Sequence, residues 1–255
     1  MSSDLDMLTM QLTDKIGLVT GAAGVMGQAV AKAMLDAGMQ VVLADIVRDR
    51  LLSLSDTMGE KAVPLTLDIA DGEAVAEAMK GVEATVGTVD VLVNCAGILS
   101  NNKSETTTPD EWRKVIDVNL NGMFYMSKAV IPGMKKKGWG RIVNISSLAA
   151  KSGGITAGTA YSTSKGGVSS LTFSLAAELA SHGITVNGIS PAYVKTPMIT
   201  EQLTEEQRQE VLKKIPVGRF CEPEEFAHTV MFLVSPLSGF ITGEIIDLNG
   251  GIIFD

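Results

Sequence analysis

Several residue types are scarce in this chain, and each scarcity excludes a class of protein. The 255 residues include two cysteines, Cys95 and Cys221, and two histidines, His182 and His228. Two cysteines cannot build a disulfide framework, and these four scattered side chains do not have the spacing of metal ligands. We therefore expect neither a disulfide-stapled fold nor a metal site.

Positive charge and long apolar runs are scarce as well. Lysine and arginine total 21 against 29 aspartates and glutamates, so the net charge is −8 and the isoelectric point lies near 4.9. The longest basic run is three lysines at 135–137, too little to favour a nucleic-acid partner. No stretch of about 20 residues is apolar throughout, and the first fifteen residues contain no signal-type apolar segment. We expect a cytoplasmic protein with no membrane partner.

What the chain does contain is a regular alternation of two hydrophobic patterns. Hydrophobic residues make up 45% of the chain and charged residues 20%, which excludes disorder. Longer amphipathic stretches at 28–37, 72–86, 111–134 and 166–181 separate short apolar runs, which lie at 16–19, 40–44, 62–67, 89–94, 141–145, 185–189 and 244–248. This alternation predicts an α/β fold, a doubly wound parallel sheet of about seven strands with helices on both faces.

No linker or internal repeat divides the chain, so residues 1–255 are expected to form one domain that binds ligand and carries out catalysis. The least regular segment is 191–215, which opens with a proline after a strand and holds a polar helix at 204–214. We expect it to form a flexible flap over a site at the carboxyl edge of the sheet.

A glycine-rich turn follows the first expected strand. Residues 20–27 read Thr-Gly-Ala-Ala-Gly-Val-Met-Gly and lead into a helix. Gly21 permits a tight turn, and Gly24 and Gly27 allow close approach of the backbone. Backbone N–H groups and the positive end of the helix dipole then meet at one point, which favours a pyrophosphate group. The alternative is an ordinary helix entry.

The second expected strand ends in Asp45, about 20 residues past the glycine-rich turn. A carboxylate at this place accepts hydrogen bonds from both ribose hydroxyls of an adenosine and repels a 2′-phosphate. At a separation of about 4 Å and a dielectric near 20, the repulsion is about 4 kcal/mol per pair of unit charges. NAD is therefore expected over NADP. Arg48 is the nearby cation that would permit NADP, and a helix cap is the alternative role for Asp45.

Tyr161 and Lys165 stand four residues apart, so on a helix the phenol and the ammonium group share one face. A lysine charge about 5 Å away would stabilise the phenolate by about 3 kcal/mol, which lowers the tyrosine pKa by roughly two units. Such a tyrosine transfers protons near neutral pH. A Tyr-x-x-x-Lys pair also arises often by chance, so this spacing alone favours a structural role.

The order of several motifs resembles the short-chain dehydrogenase/reductase family over residues 12–251. The motifs are the turn at 20–27, Asn94-Cys95-Ala96-Gly97, Asn119, Ser146-Ser147, Tyr161–Lys165, 191–196, Ile241-Thr242-Gly243 and Asn249-Gly250-Gly251. This resemblance implies a Rossmann-like fold and an oxidoreductase with a nicotinamide cofactor. Three positions depart from the family pattern: Val25 replaces the middle glycine, Cys95 an asparagine and Ala192 a glycine.

The resemblance also implies roles for individual residues. Tyr161 would be the general acid/base, and Lys165 would hold the nicotinamide ribose and lower the pKa of Tyr161. Ser147 would bind the substrate oxygen, with Ser146 as the alternative. Asn119 would hold a water that links Lys165 to solvent. The alternative role for Asn119 is that of an amide at a helix kink, and the alternative residue for the water is Asn121. The cofactor would lie against Gly21, Met26, Gly27, Asp45, Asp68, Ile69, Asn94, Tyr161, Lys165, Val194 and Thr196.

The leading hypothesis is an NAD-dependent oxidoreductase that interconverts a secondary alcohol (a polyol, sugar, sugar acid or hydroxy acid) and its ketone. The alternative within the family is a 3-oxoacyl-carrier-protein reductase, and the alternative of another class is a catalytically silent dinucleotide-binding sensor or scaffold. The resemblance further implies a homotetramer acting on a small-molecule substrate. Residues that could face the substrate are Asn101, Asn102, Lys151, Lys195 and Met198, of which the two lysines hint at an anionic group. The alternatives are surface solvation for the two lysines and core packing for Met198.

Overall fold

The computed structural model describes residues 12–154, 157–196 and 204–254. Seven strands lie in one parallel sheet in the order β3-β2-β1-β4-β5-β6-β7. They are β1 (Ile16–Thr20), β2 (Gln40–Asp45), β3 (Ala62–Thr66), β4 (Val91–Asn94), β5 (Gly140–Ile145), β6 (Ile184–Pro191) and β7 (Ile245–Leu248). All seven expected strands are confirmed, with ends shifted by one or two residues.

Helices connect the strands. They are α1 (Val25–Asp36), α2 (Arg48–Met58), α3 (Gly72–Thr85), α4 (Pro109–Ile116), α5 (Gly122–Lys137), α6 (Leu148–Ser152), α7 (Thr159–Leu179), α8 (Glu205–Leu212) and α9 (Pro223–Val234). The amphipathic stretch expected at 111–134 is not one helix. A π-helical turn, Asp117–Asn121, separates α4 from α5. The extra residue in this turn shifts the apolar pattern by only one position, so the stretch still resembles one continuous helix in the sequence.

Helices cover both faces of the sheet, as expected from the sequence. Side chains of successive strand residues point to opposite faces, so Val19, Val41 and Val93 pack against α1 and α9 residues such as Val30, Met34 and Phe226. Their neighbours Leu18, Val42 and Leu92 face the other way. They pack against helices α3, α5 and α7, through Val75, Met126 and Leu175 among others. The doubly wound sheet is therefore confirmed.

The strand order places a crevice at the carboxyl edge. Strand β1 lies between β2 and β4, and the connections after β1 and β4 leave on opposite sides. Such a switch point opens a cleft where ligands bind in sheets of this kind. Among the described residues, no helix is long and apolar enough to cross a membrane.

Candidate active site

A cavity of about 700 Å³ runs along the carboxyl edge of the sheet. It brings together residues from the ends of β1, β2, β4, β5 and β6 that are far apart in sequence. Most of the residues expected from the sequence line it: Gly21, Met26, Gly27, Asp45, Ser147, Tyr161, Lys165, Val194 and Thr196. Four others, Asn119, Asp68, Ile69 and Asn94, do not.

The glycine-rich turn allows a ligand to approach the protein backbone closely. Gly21 has φ +66°, and a β-carbon there would lie 2.8 Å from the Cα of Ala96. A β-carbon on Gly27 would overlap the Gly21 carbonyl oxygen. Helix α1 begins after Gly24 with no side-chain cap and no acidic residue in its first turn. Its first N–H groups therefore remain available to an anion, which fits the pyrophosphate of a dinucleotide.

Asp45 is held in the cavity wall by two backbone hydrogen bonds. Its Oδ2 accepts from Ala23 N and its Oδ1 from Val47 N, each at 3.0 Å. A carboxylate oxygen accepts more than one hydrogen bond, so both oxygens retain capacity for ribose hydroxyls. The cation that lines the cavity near this end is Arg50. Arg48, expected from the sequence, is not part of the lining.

Ser147 and Tyr161 meet at the end of β5. Ser147 caps helix α6, where its Oγ accepts a hydrogen bond from Ala149 N at 3.1 Å. Its side chain also hydrogen-bonds Tyr161, and this contact lowers the pKa of Tyr161, although burial raises that pKa by more. Ser146, the alternative, instead donates to the Lys165 carbonyl at 3.0 Å. The geometry thus favours Ser147 over Ser146 as the partner of Tyr161.

Lys165 lies one helical turn beyond Tyr161, with Nζ 5.8 Å from the centre of the phenol ring. The Nζ donates to the Ile145 carbonyl at 2.7 Å. Burial lowers the pKa of Lys165 to about 8, with a smaller opposing effect from Cys95.

These values correct one expectation. The sequence predicts that Lys165 lowers the pKa of Tyr161, whereas in the structure the pKa of Tyr161 is raised above its ordinary value. The reason is desolvation, which penalises the phenolate and outweighs the opposing effect of the hydrogen bond with Ser147.

Asn119 does not line the cavity but lies directly behind it in the π-helical turn. Its Nδ2 donates to Ile98 O and to Ser164 Oγ, both at 3.0 Å, and its Oδ1 accepts from Ile98 N at 2.8 Å. A β-carbon on Gly97 would lie 3.2 Å from Asn119 Oδ1 and 3.3 Å from Lys165 Nζ. Asn119 thus fixes the loop after β4 beside Lys165.

The other three residues outside the cavity have structural contacts. Asp68 Oδ1 accepts from Ala70 N at 2.9 Å, and Ile69 packs against Gly122. The buried Asn94 Nδ2 donates to Ser127 Oγ at 3.1 Å and to Asn144 Oδ1 at 2.9 Å. The Asn94 side chain therefore links β4 to α5 and β5.

The side chains expected to face the substrate are not part of the lining. Lys151 forms an ion pair with Asp247 at 2.7 Å, and Lys195 pairs with Glu222 at 3.1 Å. Asn102 donates to Glu111 at 2.8 Å, and Asn101 is exposed. Met198 lies outside the described residues. The hint of an anionic group from Lys151 and Lys195 is therefore wrong for those two lysines.

Several lining residues were not expected from the sequence. They include Gln28, Arg50, Tyr193, Lys214 and Ile252. Thr20 acts from behind the wall, where its Oγ1 accepts from Cys95 N and Ala96 N at 3.1 Å. Thr20 lies in the glycine-rich turn, and Tyr193 and Lys214 lie in the segment 191–215 that was expected to form a flap. No group of three or more potential metal-ligating residues occurs in the described ranges.

A fold with this crevice, a glycine cradle for pyrophosphate and a Ser–Tyr–Lys cluster defines a nicotinamide-dependent oxidoreductase. Residues 21–253 match the family model described as enoyl-(acyl carrier protein) reductase. The chain belongs to the short-chain dehydrogenase/reductase family, as expected from its motifs, and is an oxidoreductase that acts on CH–OH groups with a nicotinamide cofactor.

Relatives with established names support this assignment. The 3-oxoacyl-[acyl-carrier-protein] reductase FabG of Vibrio harveyi is 39% identical over 243 residues, covering 95% of this chain and 98% of that protein. The Thermotoga maritima protein of the same name is 38% identical over 247 residues, covering 96% and 100%. The solved structure of 3-ketoacyl-(acyl-carrier-protein) reductase from Brucella melitensis complexed with NADH has a TM-score of 0.88 at 31% identity, covering 94% of this chain and 99% of that chain.

Proposed function

We propose that this protein is an NADH-linked reductase of 3-oxoacyl thioesters, forming 3-hydroxyacyl products. The observation that carries the chemistry is Tyr161, hydrogen-bonded to Ser147 and sharing one cavity with Lys165 and the glycine-rich turn. The names of the relatives favour an oxoacyl substrate over the polyol, sugar or hydroxy-acid substrates expected first from the sequence.

Each residue of the cluster has a defined part in the reduction. A reduced nicotinamide, when bound, supplies a hydride to the ketone carbon. Tyr161 donates its hydroxyl proton to the ketone oxygen, so the π bond of the C=O group is replaced by a C–H and an O–H bond, the C–O single bond is kept, and Tyr161 is left as a phenolate. Ser147 donates a hydrogen bond to the same oxygen and stabilises the charge that develops on it. Lys165 supplies the positive charge beside Tyr161, and a proton from solvent restores the phenol through a water held near Asn119.

The remaining positions complete the proposed cofactor site. Gly21, Met26 and Gly27 hold the pyrophosphate, and Asp45 the adenosine ribose. Val194 and Thr196 meet the carboxamide, Asp68 and Ile69 the adenine ring, and the backbone at Asn94 lies alongside the cofactor.

Tyr161→Phe tests the chemical assignment. The variant keeps the ring and loses only the hydroxyl, so turnover should fall by at least about a thousandfold, while NADH binding stays within about twofold. NADH consumption with acetoacetyl-pantetheine measures the first quantity, and NADH fluorescence titration the second. Substantial activity in the variant would mean that another group delivers the proton. A wild-type protein that binds NADH yet reduces no member of a broad ketone panel would instead be a sensor or scaffold.

The choice of NADH over NADPH rests on Asp45, and Arg50 is the residue that opposes it. Asp45→Ser removes the repulsion of a 2′-phosphate and should raise the efficiency with NADPH about tenfold or more. Arg50→Ala, which removes only the opposing cation, should lower whatever NADPH activity exists. A wild-type preference for NADPH would overturn this part of the proposal.

The organisation of the molecule is also part of the proposal. Residues 1–255 form a single domain with the flap at 191–215, and four copies assemble into a cytoplasmic homotetramer. Large apolar side chains on two separate surfaces support the assembly. Phe124 and Phe173 are about half exposed on α5 and α7, whereas Leu237 and Phe240 are largely exposed after α9.

A further inference from the structure

The charged residues that line the cavity, within the part of the chain that the structure describes, are Asp45, Arg50, Lys165 and Lys214. The first three already have a place in the cofactor site or the catalytic cluster. Lys214 does not. It follows helix α8, where its N–H donates to the Val211 carbonyl at 2.9 Å.

Lys214 lies on the substrate side of the reacting centre. Residues just beyond it rest on the turn that follows β7, because Val217 N donates to Gly250 O at 3.1 Å and Ile215 packs against the same glycine. Adjacent strands are about 4.8 Å apart, so the end of β7 is about 24 Å from Asp45 on β2 and only about 10 Å from Ser147 after β5. A dinucleotide with its adenosine ribose at Asp45 and its nicotinamide beside Tyr161 and Lys165 would leave Lys214 beyond the nicotinamide end.

The charge of Lys214 is not neutralised by a neighbour. Within the described ranges it makes no hydrogen bond or ion pair through its side chain, and its electrostatic contact is with Glu210. Glu210 already binds Lys213 at 2.5 Å. Asp247, the carboxylate on β7, pairs with Lys151 at 2.7 Å. Lys214 thus places a solvated cation at the β7 end of the cavity, and the carboxylate that interacts with it, Glu210, is paired with Lys213.

We propose that Lys214 binds an anionic group of the substrate, a phosphate or a carboxylate, beyond the carbon that accepts the hydride. The inference rests on the proposed reductase function and adds the charge of the substrate to it. A phosphate would belong to a phosphopantetheine arm, and a carboxylate to a free oxo acid.

Two substrate pairs separate these sources. Acetoacetyl-pantetheine differs from its 4′-phosphate by one phosphate, and methyl acetoacetate differs from acetoacetate by one negative charge. The wild-type enzyme should prefer the charged member of one pair. Lys214→Ala should reduce that preference, measured as the ratio of kcat/KM values, about fivefold, mainly through KM. Lys214→Arg should restore most of it, and Lys214→Glu should reverse it.

Lys80→Ala is the control. It removes the same charge from an exposed lysine on α3 that pairs with Glu77 and is not part of the cavity lining. It should leave both substrate ratios within about twofold. The KM for NADH should be unchanged in all four variants.

The outcomes separate the two proposals. If the wild type reduces neutral oxoacyl compounds but prefers neither charged partner, or if Lys214→Ala leaves the ratio unchanged, the role of Lys214 is wrong and the reductase function stands. A raised KM for NADH in Lys214→Ala would assign the lysine to the cofactor and also overturn the inference. If the wild type reduces none of the four compounds, the proposed function fails, and the role of Lys214 fails with it.

Discussion

At the scale of single residues, burial rather than charge dominates the catalytic cluster. The pKa of Lys165 falls to about 8 and that of Tyr161 rises, and desolvation is the main cause of both shifts. Each group is therefore pushed toward its neutral form. A buried neutral phenol is a suitable proton donor for ketone reduction, because it keeps its proton until negative charge develops on the substrate oxygen.

The shifted pKa of Lys165 predicts a pH dependence of stability in the cofactor-free protein. The unfolded lysine titrates near 10.5 and the folded one near 8, so between these values the unfolded state binds more protons. Stability must then rise with pH in this window. The free energy of unfolding of wild type minus that of Lys165→Met should increase by about 1 kcal/mol between pH 8 and 9.

Urea denaturation at several pH values measures this difference. The raised pKa of Cys221, about 11, lowers stability as pH rises, but it acts equally in both proteins and cancels. Cys95, with a pKa of about 12, interacts with Lys165, and loss of the lysine charge raises that pKa further. The folded Cys95 thiol therefore keeps its proton in both proteins between pH 8 and 9, and its contribution cancels there too. Parallel curves of stability against pH for the two proteins would show that burial does not lower the pKa of Lys165.

Tyr193 carries backbone strain in the cavity wall. Its φ is +49°, a left-handed conformation that bulky residues rarely adopt, and it stands where the chain leaves β6. Tyr193→Ala and Tyr193→Gly lose the same ring, but only glycine relieves the strain. The glycine variant should be the more stable of the two by about 1 kcal/mol, opposite to the usual order at ordinary positions. Chemical denaturation, compared at equal m-values, measures the difference in stability between the two variants. A more stable alanine variant would show that the backbone at residue 193 is not strained.

At the scale of elements, the segment after β4 holds the loop between α6 and α7. Lys103 Nζ donates to Gly154 O at 2.6 Å and to Ala157 O at 2.5 Å. Gly158 N donates to Ser100 O at 2.7 Å and Thr159 N to Asn102 O at 3.1 Å. Gly154 and Ala157 line the cavity, so these bonds shape the wall beside Tyr161.

Lys103→Met should loosen this loop without unfolding the protein. Two carbonyls lose a charge-assisted hydrogen bond, so amides at 157–159 should exchange with solvent about fivefold faster. Hydrogen exchange followed by mass spectrometry measures the effect. Lys80→Met, at an exposed lysine paired with Glu77 on α3, is the matched control and should leave these amides unchanged. Equal protection in both variants would show that the backbone contacts alone hold the loop.

At the scale of the whole molecule, the two exposed apolar surfaces determine the expected assembly. A homotetramer of dihedral symmetry needs two different self-complementary interfaces, and two separate apolar surfaces match that need. Phe173→Glu, on α7, should remove one interface and convert the tetramer to a dimer. Leu52→Glu, a partly exposed apolar side chain on α2, is the control and should remain a tetramer. Light scattering on protein eluted from a size-exclusion column measures the mass of the assembly. A monomeric wild-type protein would contradict the proposed tetramer.

The fold could be predicted from the sequence because it depends on local patterns, and the hydrophobic periodicities indicated all seven strands along the chain. Most of the predicted site residues, including Gly21, Gly27 and Asp45, also line one cavity. The π-helical turn at Asp117–Asn121 was not predicted, because one inserted residue shifts the apolar pattern by a single position and both flanking stretches remain helical in character.

Local patterns by themselves determined the family, the parallel sheet and the chemical types of the reacting groups. Only the tertiary structure decided how deeply Tyr161 and Lys165 are buried, which of the two serines bonds the phenol, and that Lys151 and Lys195 are paired while Lys214 reaches the cavity. Desolvation and ion pairing depend on segments that are distant in the chain and meet only when the sheet is assembled.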